Sequence, residues 1–132
     1  GGAFGYVLRE SGAGDYIGNL VASLPLPAVL IPFIVASLIR LIQGSGTVAM
    51  ITAASISAPI LVNIDGVNMV LAAQAAALGA MVFSYFSDTM FWVVNRSLGI
   101  TNTKEQIMVW SVPTTLAWGA SLIAILVADI FV

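Results

Sequence analysis

The sequence contains no cysteine and no histidine among its 132 residues. The absence of cysteine excludes disulfides, thiol nucleophiles and thiolate metal sites within this chain, and the absence of histidine excludes imidazole ligands and histidine-based proton relays. No metal site is therefore expected. Whatever chemistry the chain performs must use carboxylates, hydroxyl groups and the backbone.

Charge is scarce as well, since charged residues make up 8% of the chain and hydrophobic residues 60%. Four Lys and Arg residues against six Asp and Glu give a net charge of −2. So few basic residues form no stripe for nucleic acid, which is excluded as a partner. Soluble domains contain about 25% charged residues, and this composition cannot cover the surface of one. We expect an all-α membrane protein in a lipid bilayer.

A long apolar run over residues 24–62 is interrupted by Gln-Gly-Ser-Gly-Thr at residues 43–47, here called the first break. Glycine frees the backbone from helical geometry, and hydrocarbon tolerates the resulting bare N–H and C=O groups only where they are buried in protein or line a cavity. The flanking segments, 26–43 and 47–62, would be about 27 and 24 Å long, short of a membrane core of about 30 Å. This favours a re-entrant hairpin or a pair of half-helices over two full spans.

The remaining elements follow from apolar length and turn residues. They are a helix end over 1–9, an interfacial helix over 15–24 with Asp15 as its cap, a spanning helix over 67–94 broken near 84–89, and a last transmembrane helix over 107–132. Within the spanning helix, Ala72, Ala76 and Ala80 repeat at four-residue spacing, which lets a neighbouring helix approach closely. We interpret that stripe as packing.

The first break offers groups that bind ions. A helix that restarts there presents free N–H groups and the positive end of its dipole to a carboxylate, while the preceding helix end offers carbonyls to a cation. Ser45 and Thr47 add hydroxyl groups, and Gln43 adds an amide. Discontinuous helices of this kind bind substrates in secondary transporters. The alternative is a flexible kink or a pair of glycines that allow close packing.

Residues 84–89, the second break, contain the most informative charge. Asp88 stands in apolar surroundings, where a carboxylate either pairs with a cation or takes up a proton. It is the candidate for proton coupling, and the alternative is a helix cap. Arg40, one helical turn before the first break, could pair with Asp88, attract an anionic substrate or extend to the membrane interface.

Enzyme hypotheses need residues that this sequence lacks. A serine hydrolase could use Ser45 but needs a general base, and an aspartyl protease needs a second carboxylate beside Asp88. Gly44-x-Gly46 lacks the third glycine of a dinucleotide fingerprint. We therefore expect no enzyme. The alternative to a transporter is a non-transporting membrane subunit or assembly module, with an intramembrane hydrolase third.

Two motifs resemble a known family. They are Gln43-Gly44-Ser45-Gly46-Thr47-Val48-Ala49 and, about 40 residues later, Ser84-x-x-Ser87-Asp88-Thr89-x-Phe91-Trp92, followed by a basic loop and Trp110. In this order and spacing they resemble the C-terminal part of the gluconate permease family, bacterial gluconate:proton symporters of the ion transporter superfamily.

The resemblance implies a piece of a longer, multi-pass transporter of the bacterial inner membrane, forming most of the second of two inverted repeats. It implies symport of gluconate, or a related sugar acid or hydroxycarboxylate, with H⁺ as the coupling ion and no other cofactor. The implied partners are the small organic anion, the lipid bilayer and the rest of the same chain, with homo-oligomerisation left open. The implied substrate residues are Gln43, Gly44, Ser45, Gly46, Thr47, Ser87 and Thr89, with Asp88 handling the proton and Arg40 as an electrostatic contact.

The sequence departs from the family pattern at four positions. The family usually has Ala at Gly46, His at Tyr85, Asn at Ser87 and Gly at Met90. Tyr85 removes a proton carrier and Ser87 shortens a polar ligand. These departures fit a divergent member that takes another small hydroxycarboxylate.

Overall fold

The structure, a computed structural model, describes residues 3, 6, 7 and 10–131. From residue 13 onward these residues form six helices and no strand, which confirms the all-α prediction for the described part of the chain. The helix end predicted over 1–9 lies mostly outside the described residues. The helices are α1 (Ala13–Ala22), α2 (Leu30–Gln43), α3 (Gly46–Leu61), α4 (Met69–Gly79), α5 (Thr89–Ser97) and α6 (Thr103–Phe131).

Helices α2 and α3 form an antiparallel hairpin joined by two residues, Gly44 and Ser45. Pro32, near the start of α2, and Leu61, at the end of α3, line the same small cavity at the open end. At about 1.5 Å per residue, 14 and 16 residues give lengths of about 21 and 24 Å. Helix α2 begins at Leu30 and not at residue 26, because a turn precedes it in which the Leu30 N–H donates to the Pro27 carbonyl at 2.9 Å.

Helix α4 runs from the open end of the hairpin back towards its tip. It ends at Gly79, so the second break covers residues 80–88 and begins earlier than the predicted residue 84. Two contacts explain this end. A side chain at Gly79 would overlap the Phe33 backbone, and the Ser37 hydroxyl donates to the Gly79 carbonyl at 2.9 Å, satisfying a carbonyl that a helix end leaves free.

The core lies between α2, α3 and α4, where small residues allow close packing. The predicted alanine stripe is buried there, because Ala72 and Ala76 of α4, and Ala80 just after its end, pack in the core. Larger side chains of α2 fill the remaining space. The most deeply buried of these are Phe33, Val35 and Ile39.

Helix α1 packs against α3 through a small residue. A Cβ at Gly18 would lie about 3 Å from the side chains of Ile56 and Ile60. The helix begins at Ala13, so Asp15 stands inside its first turn and not at the cap, which Gly12 occupies with a left-handed backbone (φ 72°). In this helix Leu20 is exposed, whereas Val21 is buried.

Helix α6 is 29 residues long and begins at Thr103, four residues before the prediction. It is the one helix in the described part of the chain that is long and apolar enough to cross a membrane, judged by length and composition. A single π-helical turn, Ile107–Ser111, interrupts it. Trp118 attaches it to the hairpin, since its ring lies 5.5 Å from that of Phe33 and its indole N–H donates to Ser37 Oγ at 2.9 Å.

Candidate functional site

The first break is a tight turn between two helices and not a kink within one helix. Gly44 ends α2 with a left-handed backbone (φ 86°), and its N–H donates to the Arg40 carbonyl at 2.8 Å. Ser45 caps α3, because its hydroxyl accepts from the Val48 N–H at 3.5 Å. The Gln43 side-chain oxygen accepts from the Ser45 N–H at 3.3 Å. Helix α3 restarts at Gly46, one residue before the predicted Thr47.

The second break ends in the same way, with a polar cap on a new helix. Asp88 precedes α5, and its Oδ1 accepts from the Met90 N–H at 3.1 Å. Two further bonds shape the segment: the Trp92 indole N–H donates to the Phe86 carbonyl at 2.8 Å, and the Tyr85 hydroxyl donates to the Leu41 carbonyl at 2.8 Å. The capping role considered for Asp88 is therefore present.

The two breaks touch each other. Gly44 lies so close to Ser87 that a Cβ at Gly44 would overlap the Ser87 side chain. Gly46 has more room, since the nearest atom to an added Cβ is the Ala80 carbonyl oxygen at 3.6 Å. An alanine would fit at Gly46 in ordinary van der Waals contact. The first break therefore has one glycine that the close approach requires and one that it does not.

Arg40 links both breaks through its buried guanidinium group, which is 4% exposed. Nη1 donates to the Gly44 carbonyl, and Nη2 donates to Ser84 Oγ at 2.6 Å and to Asp88 Oδ2 at 2.7 Å. The interface-directed orientation considered from the sequence is therefore wrong. The ion pair with Asp88 leaves the site neutral, as a buried charge requires.

Helix α6 closes the opposite wall. Ser111 Oγ donates to the Ser84 carbonyl, and Thr114 Oγ1 accepts from the Ser84 N–H at 3.4 Å. Both residues lie at or just after the π-helical turn of α6. Such turns occur frequently at functional sites.

A cavity of about 430 Å³ lies where these elements meet. The first turns of α3 and α5 both border it, so two helix N-termini with their positive dipole ends face one space. Arg40 and Asp88 are the charged side chains of its wall. The lining residues are Arg40, Gly44, Ser45, Gly46, Thr47, Ala80, Met81, Ser84, Ser87, Asp88, Thr89, Met90, Trp110 and Thr114.

The cavity thus brings together the predicted residues of both breaks, and Gln43 alone among them does not border it. Sequence reasoning missed Thr114 and gave Trp110 no binding role. A usable signal was present, because Ser111, Thr114 and Thr115 place three hydroxyl groups within about one turn of a mostly apolar part of α6. Within the described part of the chain, no three His, Cys, Asp or Glu side chains lie close enough together to hold a metal ion.

The family model and the curated relatives that match this chain agree on one family of permeases. The sequence model of the GntP family permeases matches residues 1–131. An uncharacterised permease of Haemophilus influenzae is 61% identical over 98% of this chain and 27% of its own length. A gluconate permease of Pseudomonas aeruginosa is 34% identical over 98% of this chain and 29% of its own length. A low-affinity gluconate transporter of Escherichia coli K12 is 33% identical over 88% of this chain and 26% of its own length.

The chain therefore spans less than a third of the length of these curated relatives. No solved structure matches it. The family match covers both breaks, α6 and the cavity between them, and it confirms the resemblance drawn from the two motifs. This chain belongs to the GntP permease family, which is a family of permeases and not of enzymes.

Proposed function

We propose that this chain is part of a secondary active transporter that carries gluconate, or a related sugar acid, across the bacterial inner membrane together with a proton. The main support for this proposal is the cavity, which is bordered by two helix N-termini and by the buried Arg40. Each of these groups favours an anion. The gluconate-specific names of relatives from Pseudomonas and Escherichia support the choice of anion.

The cavity suits a small hydroxycarboxylate in size and chemistry. Its volume of about 430 Å³ falls within the range of about 300–1,000 Å³ for small-molecule sites. In our proposal, the first-turn N–H groups of α3 and α5 bind the carboxylate with Arg40. Hydroxyl groups on the wall bind the hydroxyl groups of the substrate. They belong to Ser45, Thr47, Ser84, Ser87, Thr89 and Thr114.

Asp88 is the proposed proton carrier, because it is the one carboxylate among the residues that line the cavity. Moving one charge across 100 mV costs about 2.3 kcal/mol. A proton that accompanies a monovalent anion removes this cost. Symport with H⁺ therefore lets a cell with a negative interior accumulate the anion.

The membrane arrangement is also a proposal. A hairpin with arms of about 21 and 24 Å does not cross a core of about 30 Å, so we place it as a re-entrant element with its tip near the midplane. Thr47, Ser87 and Thr89 are exposed in the described chain. We infer that the rest of a multi-pass protein, including a first inverted repeat, covers them and completes the site.

An uptake assay tests the proposed function. The full-length protein that contains this chain is reconstituted in proteoliposomes and offered gluconate, other sugar acids and glucose, each at two external pH values. We expect an inward proton gradient to drive uptake of gluconate or another sugar acid, and we expect no uptake of glucose. Uptake that is unaffected by the proton gradient would rule out proton symport.

A matched pair of serine variants distinguishes two hypotheses. In the first the chain is part of a transporter, and in the second it is a non-transporting subunit in which the first break only allows its helices to pack closely. Ser45→Ala removes a hydroxyl group from the cavity wall, whereas Ser55→Ala removes one from the exposed face of the same helix. We expect Ser45→Ala to weaken sugar-acid uptake in folded protein and Ser55→Ala to leave it unchanged. Equal uptake by both variants would favour the packing role.

A further inference from the structure

Arg40 has more hydrogen-bond donors than its present partners use. A guanidinium carries five N–H groups, and the described residues supply three acceptors: the Gly44 carbonyl, Ser84 Oγ and Asp88 Oδ2. Asp88 holds the guanidinium through one oxygen only, because its Oδ1 caps α5. Arginine binds a carboxylate best through two parallel bonds. The ion pair with Asp88 is therefore a single-oxygen contact that a substrate carboxylate can replace.

Arg40 would keep its position if Asp88 released it. The Gly44 carbonyl and Ser84 Oγ come from the first and second breaks, so the guanidinium is held from both sides without Asp88. Ser84 is itself held by Ser111 and Thr114 of α6. The cation is thus placed at the wall of the cavity before any anion arrives.

On this basis, and resting on the proposed function, we propose that the substrate carboxylate and the Asp88 carboxylate compete for Arg40, so that the anion binds only when Asp88 is protonated. On loading, Asp88 takes up a proton and becomes a neutral acid, and the substrate anion takes its place beside the guanidinium. On release, the proton leaves Asp88 and the carboxylate pairs with Arg40 again.

The charge of the site explains why the two events are coupled. The empty site contains one cation and one anion, and the loaded site contains the Arg40 cation, the substrate anion and a neutral Asp88. Both states are neutral. Binding the anion without a proton leaves a net negative charge in the buried site, and protonation without the anion leaves an unpaired Arg40. Burying an unpaired charge is costly, so both half-loaded states are disfavoured.

The groups that face Asp88 are consistent with this exchange. Arg40 of α2 is the other charged side chain of the cavity wall, and the groups from α3, the second break and α6 are hydroxyls that do not titrate in the working pH range. Tyr85 is the other titratable residue of the second break, and its hydroxyl is bound to the Leu41 carbonyl. Asp88 is therefore the group through which pH acts on Arg40.

Calorimetric binding of gluconate to the purified full-length protein tests the exchange. We expect one proton to be taken up for each gluconate bound, measured from the heats in buffers of different ionisation enthalpy. Where Asp88 is ionised, the affinity should fall about tenfold per pH unit, the slope for one linked proton. Zero proton uptake with normal gluconate binding would overturn the exchange, whereas proton-driven uptake in the proteoliposome assay would still support the proposed function.

Asp88→Asn provides the matching variant, because asparagine also caps a helix. We expect this variant to bind gluconate with an affinity that no longer depends on pH. Asp129→Asn, which removes an exposed carboxylate, is the control and should keep the wild-type dependence of gluconate affinity on pH. A folded Asp88→Asn that keeps the slope, or that no longer binds gluconate at all, would contradict the exchange. If the wild-type protein bound no sugar acid at any pH, both the proposed function and the exchange would fail.

Discussion

Replacing Arg40 by glutamine is expected to abolish gluconate uptake and to destabilise the full-length protein by about 1–3 kcal/mol, because Asp88, a partly buried carboxylate, loses its charged hydrogen-bond partner. The guanidinium is 4% exposed and lies 2.7 Å from Asp88. Without it, Asp88 becomes an uncompensated carboxylate beside the hairpin tip. Thermal unfolding in detergent measures the loss of stability, and proteoliposome uptake measures the loss of function.

The double variant Arg40→Gln/Asp88→Asn separates stability from function. Replacing both charges by neutral groups of similar shape removes the unpaired carboxylate, so we expect most of the lost stability to return. Uptake should stay absent, because the cation that binds the substrate is still missing. Arg96→Gln, at an exposed cation in the last turn of α5, serves as the control and should change neither property. Recovery of uptake in the double variant would show that Arg40 only neutralises Asp88.

Gly44→Ala is expected to destabilise the protein by about 1–3 kcal/mol and to abolish uptake. Gly46→Ala should preserve both stability and uptake. Gly44 has φ 86°, a conformation that costs about 1–3 kcal/mol for a residue with a side chain. Its Cβ would also overlap Ser87 and force the two breaks apart. At Gly46, an added Cβ meets the Ala80 carbonyl oxygen at 3.6 Å, an ordinary contact.

The same unfolding and uptake measurements, made on both glycine variants in parallel, check this prediction. The pair is well matched because the two positions are two residues apart in one turn and receive the same methyl group. If Gly44→Ala transported gluconate normally, the close approach of the two breaks would not be needed for function. If Gly46→Ala were the more harmful variant, the described tip geometry would be wrong.

The first break could be located from the sequence to within one residue, because its causes are local. Gly44 and Ser45 are residues that end and cap helices wherever they occur, and the short arms on either side favoured a hairpin. The start of the second break could not be located so well. Residues 80–83 are mostly apolar and read as helix, and the end of α4 is set by contacts of Gly79 with Phe33 and Ser37, which lie more than 40 residues earlier in the chain.

The site shows the same division between local and distant causes. Asp88 could be proposed as a cap and as a charge partner from its place in the second break, but the choice of partner for Arg40 remained open. Its acceptors Ser84 and Asp88 lie 44 and 48 residues away in sequence, and only the fold brings them together. Thr114 was missed because a threonine hydroxyl within a helix usually bonds to a carbonyl of its own helix, as this one also does through the Trp110 carbonyl at 3.0 Å.

A crystal or cryo-electron-microscopy structure of the full-length protein with bound gluconate would test the role of Arg40 most directly. We expect the substrate carboxylate in the cavity between the two breaks, at about 2.7–2.9 Å from the Arg40 guanidinium. It should lie next to the first turns of α3 and α5, with Asp88 no longer paired to Arg40. Gluconate bound elsewhere, with the Arg40–Asp88 ion pair intact, would contradict this expectation.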